Sequence, residues 1–190
     1  MLLAAVRSSW GSPEKALLDI GGTPLWCRQR DLLASLEPAE IFLSAHPEQG
    51  WTRKAGGFNA LLYDTTPGCG PISGITAAIE RATQPHVVVL AINLPHMGRK
   101  WLAGLLEART PGVGVVGRRG GSFEPLAAVY PCELMSLAWE ALAGGKYGLQ
   151  PLLLKAVEQG LMRVREIGPR EAEWFAGLDK HVSTPKKLGI

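Results

Sequence analysis

Apolar positions along this chain repeat with two different periods. Strand-sized apolar stretches fall at Leu2–Val6, Glu40–Ser44, Ala60–Tyr63, Val87–Ile92, Gly114–Gly117, Leu126–Tyr130 and Met162–Ile167. Between them, apolar residues recur at helical spacing. Leu25, Leu32, Leu33 and Leu36 do so within Pro24–Leu36, and Ile75, Ala78, Ile79 and Ala82 within Ser73–Ala82. Arg99–Ala108, Cys132–Ala143 and Leu149–Gln159 complete the expected helices, and Gly144-Gly145 and Gly160 stop two of them. Val87–Ile92 is apolar without a break, as expected of a central parallel strand covered on both faces. Strand–helix alternation predicts right-handed crossovers and a three-layer α/β sandwich with a mostly parallel central sheet. No linker, repeat or low-complexity stretch divides the chain, so one domain over residues 1–190 is expected.

Composition narrows the functional classes. Apolar residues make up 46% of the 190 positions and charged residues 19%, which is an ordinary globular mix. The net charge is +3, and Lys and Arg are scattered, so no nucleic-acid partner is expected. Arg118-Arg119 and Lys186-Lys187 read as solvated pairs. Cys27, Cys69 and Cys132 lie far apart and form no CxxC, which favours a reducing compartment and no structural zinc. No apolar run reaches membrane-span length and no signal peptide precedes the first strand, so the expected location is the cytoplasm.

In such a sheet, ligands bind beyond the carboxyl ends of the strands. That directs attention to Ala5–Lys15, Asp64–Gly74, Asn93-Leu94-Pro95 and Arg118–Glu124. The first loop is built of small residues, with Arg7 and Lys15 as cations. Small residues let backbone N–H groups converge on an anion, so the loop suits a phosphate. The residues alone also fit a plain strand-to-helix connection with a capping serine. In the second loop, Pro67, Gly68, Gly70, Pro71 and Gly74 impose a tight turn before a helix, and Gly74 lets something approach closely. Asp64 is either a ligand to a base or sugar, or the cap of that turn. Asn93 ends the central strand where a carboxylate would suit Mg²⁺; its amide either coordinates or simply forms a turn before Pro95.

Taken in order, these pieces resemble the molybdenum cofactor guanylyltransferases. The resemblance rests on Lys15-Ala16-Leu17-Leu18, Gly21-Gly22-Thr23-Pro24-Leu25, and Asp64 with Gly70-Pro71-Ile72-Ser73-Gly74. It continues through Asn93-Leu94-Pro95, Glu124-Pro125-Leu126-Ala127-Ala128-Val129-Tyr130 and His181-Val182-Ser183-Thr184-Pro185. Cytidylyltransferases acting on the same pterin share most of it. The resemblance implies a Rossmann-like nucleotidyltransferase fold that binds GTP and Mg²⁺ and transfers GMP to molybdopterin, releasing pyrophosphate. By that carry-over the catalytic residues are Lys15, Asp64 and Asn93. The nucleotide contacts are Ala4, Ala5, Arg7, Ser8, Lys15, Asp64, Gly70, Pro71 and Gly74; Asn93 stands at the metal position and Ser183 on the pterin side.

The chain departs from the family pattern at several of these points. Val6 replaces a loop glycine, Trp10 the loop arginine, Asn93 the metal aspartate, and His181 and Ser183 two asparagines. Loss of charge at such positions lowers the stabilisation of a phosphoryl transition state. A second function class therefore stands beside the first: a catalytically impaired relative that holds a nucleotide or pterin, or docks on a molybdoenzyme or its chaperone. A sugar-nucleotide transferase is a weaker reading, for want of chain length to add a sugar-binding region. His46, His86 and His96 read as surface or turn residues, and Trp51, Trp101, Trp139 and Trp174 as packing residues.

Overall fold

The computed structural model describes residues 1–4, 14–63 and 68–178. Strands β1 (Leu2–Leu3), β2 (Phe42–Ala45), β3 (Ala60–Tyr63), β4 (His86–Ala91), β5 (Gly114–Arg119), β6 (Ser122–Pro131) and β7 (Met162–Glu166) form one sheet. Its order is β3-β2-β1-β4-β6-β5-β7. All neighbours pair parallel except at β6, which runs antiparallel to both β4 and β5. The helices are α1 (Leu25–Ala34), α2 (Pro71–Arg81), α3 (Arg99–Ala108), α4 (Met135–Ala143) and α5 (Leu149–Glu158).

Neighbouring residues of each strand point to opposite faces, and both faces are covered. Leu3, Phe42 and Val89 join Ile72, Ile75, Ile79, Leu137 and Leu153 in a core beneath α2, α4 and α5. Leu2, Leu43 and Leu90 join Leu25, Leu33, Trp101, Leu102 and Leu105 in a second core beneath α1 and α3. The alternation Leu2/Leu3 and Phe42/Leu43 thus divides two short apolar pairs between two cores, which gives the three expected layers.

The hairpin β5–β6 corrects one expectation. Arg118–Glu124 is not a loop after a strand. Arg118 pairs with Phe123 and Arg119 with Ser122 around Gly120 and Gly121, whose φ angles are 55° and 84°. Two successive positive φ values are what a tight two-residue hairpin needs, and only glycine adopts them without strain. The expected strand Leu126–Tyr130 is therefore the inner part of a longer antiparallel one. The helix expected at Ser73 begins instead at Pro71, since proline suits the first helical position, where no N–H donor is needed.

The order of strands locates the ligand edge. From β1 the chain moves outward through α1 to β2 and β3, then returns through α2 to β4 on the other side of β1. The direction of winding reverses between β1 and β4, and clefts open at such switch points beyond the carboxyl ends.

Candidate functional site

Ala4 and Asn93 stand at this switch point, because Leu3 pairs with Ala91 and the Ile92 N–H donates to the Leu3 carbonyl at 3.0 Å. The Ala4 N–H donates to the Ser44 carbonyl at 2.7 Å. The Ala4 carbonyl accepts from Gln49 Nε2 at 3.2 Å, while Gln49 Oε1 accepts from the His46 N–H at 2.9 Å. One amide side chain thus ties the end of β1 to the segment after β2. The sequence does not nominate Gln49, because its role exists only once β1 and β2 lie side by side.

Asn93 has an oxygen to offer. Its Oδ1 is buried and has no hydrogen-bond partner. Asn93 does sit in a turn before Pro95, closed by the Leu94 N–H donating to the Ala91 carbonyl at 3.4 Å; its side-chain oxygen takes no part, since Pro95, two residues on, has no N–H. The turn is braced from outside as well: Gln29 Nε2 of α1 donates to the Leu94 carbonyl at 2.6 Å, and the Leu178 N–H donates to the Asn93 carbonyl at 3.3 Å. A buried carbonyl-type oxygen left unpartnered is unfavourable, and it suits a donor or a hard cation.

Glu14, which the sequence does not nominate, is a second such group. Its Oε2 is buried without a hydrogen-bond partner, and burial pushes the carboxyl above the usual carboxylate range. Lys15 follows it and opens the turn Lys15–Leu17, anchored by the buried Ala16. The chain then enters α1 through Asp19–Thr23. There the Gly22 N–H donates to Asp19 Oδ1 at 2.8 Å and the Ile20 N–H to the Thr23 carbonyl at 2.9 Å.

The glycine turn before α2 stands at the same carboxyl edge of the sheet, with the first turn of α2 packed on Leu3 and Ser44. Gly70 has φ 67° and ψ −156°, Pro71 occupies the first helical position, and Ser73 Oγ donates to the Gly70 carbonyl at 2.8 Å. The first-turn N–H groups of α2 have no acceptor within the helix and face the carboxyl edge, as anion binding requires. The close approach that Gly74 permits is that of the sheet itself, since a Cβ there would lie 2.8 Å from Leu3 Cδ1.

Among the sequence-derived candidates, Ala4, Lys15, Gly70, Pro71, Gly74 and Asn93 fall in the described segments. Ala5, Arg7, Ser8, Asp64 and Ser183 lie outside the described residues, as do Val6, Trp10 and His181. Arg118 and Arg119 are engaged, with Glu166 at 2.7 Å and Glu124 at 3.0 Å. His86 lies at the amino end of β4, its Nε2 3.1 Å from the Thr110 carbonyl, on the edge away from the switch point. Trp101 is a packing residue as expected: fully buried, edge-on to Phe175 and donating to the Ala127 carbonyl. Trp139 is not. Helix α4 turns Leu137 and Ala138 inward, which leaves the next residue 51% exposed.

No group of His, Cys, Asp and Glu among the described residues forms a metal cluster, and no helix there is long and apolar enough to cross a membrane. The three cysteines are free thiols.

Comparison with known proteins gives a consistent picture. A molybdenum cofactor guanylyltransferase from Pseudomonas putida (strain KT2440) is 34% identical, over 85% of this chain and 84% of its own. A probable molybdenum cofactor guanylyltransferase from Opitutus terrae is 30% identical over 91% and 85% respectively. Among solved structures, the molybdopterin-guanine dinucleotide biosynthesis protein A of Archaeoglobus fulgidus superposes with a TM-score of 0.71 at 19% identity, over 93% of this chain and 90% of its own. A nucleotidyl transferase from Methanothermobacter thermautotrophicus superposes with a TM-score of 0.73 at 16% identity, over 91% and 88%. The family description "MobA-like NTP transferase domain" matches residues 1–159, and the chain belongs to that family.

Proposed function

We propose that this chain transfers GMP from GTP to molybdopterin with release of pyrophosphate. The observation that carries this reading is the unpartnered Asn93 Oδ1 at the switch point. A phosphate oxygen of the pterin attacks the α-phosphorus of GTP. The bond from that phosphorus to the β-bridging oxygen breaks, and pyrophosphate departs with the electron pair. Such transfers depend on positioning and charge neutralisation. In this reading the Lys15 ammonium neutralises phosphate charge, the first-turn amides of α2 hold phosphate oxygens, Arg7 and Ser8 line the loop, and Ala4 and Ala5 meet the base. Asp64 holds the nucleotide and Ser183 lies on the pterin side.

A divalent cation suits the donor set in one respect: magnesium takes one or two protein oxygens together with substrate phosphates. Asn93 Oδ1 would supply a neutral oxygen and Asp64 a carboxylate, and the cation would offset charge on the leaving pyrophosphate.

Asn93 also favours a second reading, in which a neutral amide replaces the family's carboxylate and the chain holds a nucleotide as an accessory in molybdoenzyme maturation without turning it over. Calorimetric titration with GTP and with CTP, each with and without Mg²⁺, separates the readings. GTP binding strengthened by Mg²⁺, with pyrophosphate released on adding molybdopterin, is expected. Metal-independent binding without release supports the accessory role, and CTP preference would move the chain to the cytidylyl relatives. Failure to bind either nucleotide removes both readings.

A further inference from the structure

A cavity of about 290 Å³ lies between α2 and α4, beside the carboxyl end of β3 and the turn before α2, with Tyr63, Trp139, Tyr147 and Glu80 among its walls. Large apolar side chains are seldom left in the open together. Only five of the described residues are exposed large hydrophobics, and three of them, Tyr63 (39%), Trp139 (51%) and Tyr147 (39%), meet at this one cavity. Their rings are not spent on each other: the ring contacts among the described residues are Trp26–Trp51, Trp26–Phe58 and Trp101–Phe175. Nor does an arginine among the described residues cover them: Arg30 lies over Trp26 and Arg165 over Trp101. Glu80 faces the same space and forms no ion pair with any described residue.

Three open aromatic rings and an unpaired carboxylate around a small cavity have a specific chemistry. The electron-rich ring faces attract a cation, and the carboxylate supplies the counter-charge. A neutral apolar ligand would gain from the rings but nothing from Glu80; an anion would be repelled. We propose that this cavity is an aromatic cage for an organic cation: an alkylated ammonium or a guanidinium, presented by a small molecule or by a side chain of a partner protein. The cage is built onto the turn before α2. Cys69 and Ser73 contribute to its floor.

The test uses the full chain and four probes: choline, its neutral carbon isostere 3,3-dimethylbutanol, and short peptides carrying one arginine or one alanine in a common sequence. Binding is followed by NMR shifts of the tryptophan indole N–H groups and, so that the tryptophan variant can be read as well, by saturation transfer to the probes' own signals, with Trp139→Ala and Glu80→Gln as variants. Both positions are at the surface, and circular dichroism checks that the variants fold. Choline is expected to move the Trp139 signal and to bind at least about fivefold more tightly than 3,3-dimethylbutanol. Glu80→Gln should erase that preference, and Trp139→Ala should weaken choline by a similar factor. A stronger response to the arginine peptide than to choline identifies a partner's side chain as the source; the reverse identifies a free ammonium compound. Equal binding of choline and its isostere, or choline binding unchanged by both substitutions, or no response to either cation, overturns the proposal.

Discussion

A Cβ on Gly74 would stand 2.5 Å from Ser44 Oγ, so the first turn of α2 rests directly on β2. Overpacking at such a contact typically costs ~1–3 kcal/mol. Gly74→Ala is expected to destabilise the protein by that amount, measured as a lower urea midpoint at unchanged slope. Ser44→Ala in the same background should recover part of the loss, because it removes the opposing oxygen. That oxygen has no hydrogen-bond partner to lose.

Asn93 allows folding and binding to be separated. Its Oδ1 makes no hydrogen bond in the fold, so Asn93→Ala should change stability by less than about 1 kcal/mol. GTP affinity in the presence of Mg²⁺ should fall by roughly tenfold, the size of one lost polar contact. Asn93→Asp should steepen the dependence of GTP binding on Mg²⁺. Calorimetry on the three proteins reads both quantities. An Asn93→Ala protein that binds GTP like the parent would remove this residue from the site.

Glu14 makes stability depend on pH in a definite direction. Burial raises its carboxyl above the ordinary value of 4.5, so the folded state favours the protonated form. The stability this group contributes is fully present below the ordinary value. It is lost as pH rises through the raised one. The parent should therefore lose stability relative to Glu14→Gln as pH rises from below 4.5 towards neutrality. Parallel thermal melts across that range check the sign.

Trp101 anchors the outer layer at β6. It is fully buried, donates Nε1–H to the Ala127 carbonyl at 3.1 Å, packs edge-on against Phe175 at 5.0 Å and lies under the Arg165 guanidinium at 4.3 Å. Trp101→Ala should cost about 3–5 kcal/mol. Trp101→Phe, which keeps the ring but not the donor, should cost less. Denaturant titration of both separates packing from hydrogen bonding.

The layers were legible because the two apolar periods are strong. Val87–Ile92 reads as a buried central strand and becomes β4, and Leu149–Gln159 becomes α5 with one residue trimmed. The antiparallel β6 was less legible, because Gly120-Gly121 reads equally well as a loop or a hairpin until strand partners are known. In the site, Asn93 and the glycine turn were visible as polar or conformationally special residues at strand ends. Glu14 and Gln49 were not, since an unpartnered oxygen and a cross-strand amide are properties of tertiary surroundings. Spacing marked Gly74 as a point of close approach without saying that the sheet is what approaches. Trp139 carries no sequence mark that distinguishes it from a core tryptophan; a turn of 100° along α4 decides its exposure.

The order of synthesis sets a delay at the centre of the sheet. β1 contributes Leu2 and Leu3, and it lies between β2 and β4. Leu2 pairs on one side with Leu43 and on the other with Leu90. As the chain leaves the ribosome, β1 finds its first neighbour early but keeps its other edge open until the segment through Ala91 has emerged. Pairings of such long sequence separation form slowly, and an open apolar edge invites association in the interval. The pace of elongation between β2 and β4 thus bears on how much of the nascent protein reaches its native sheet.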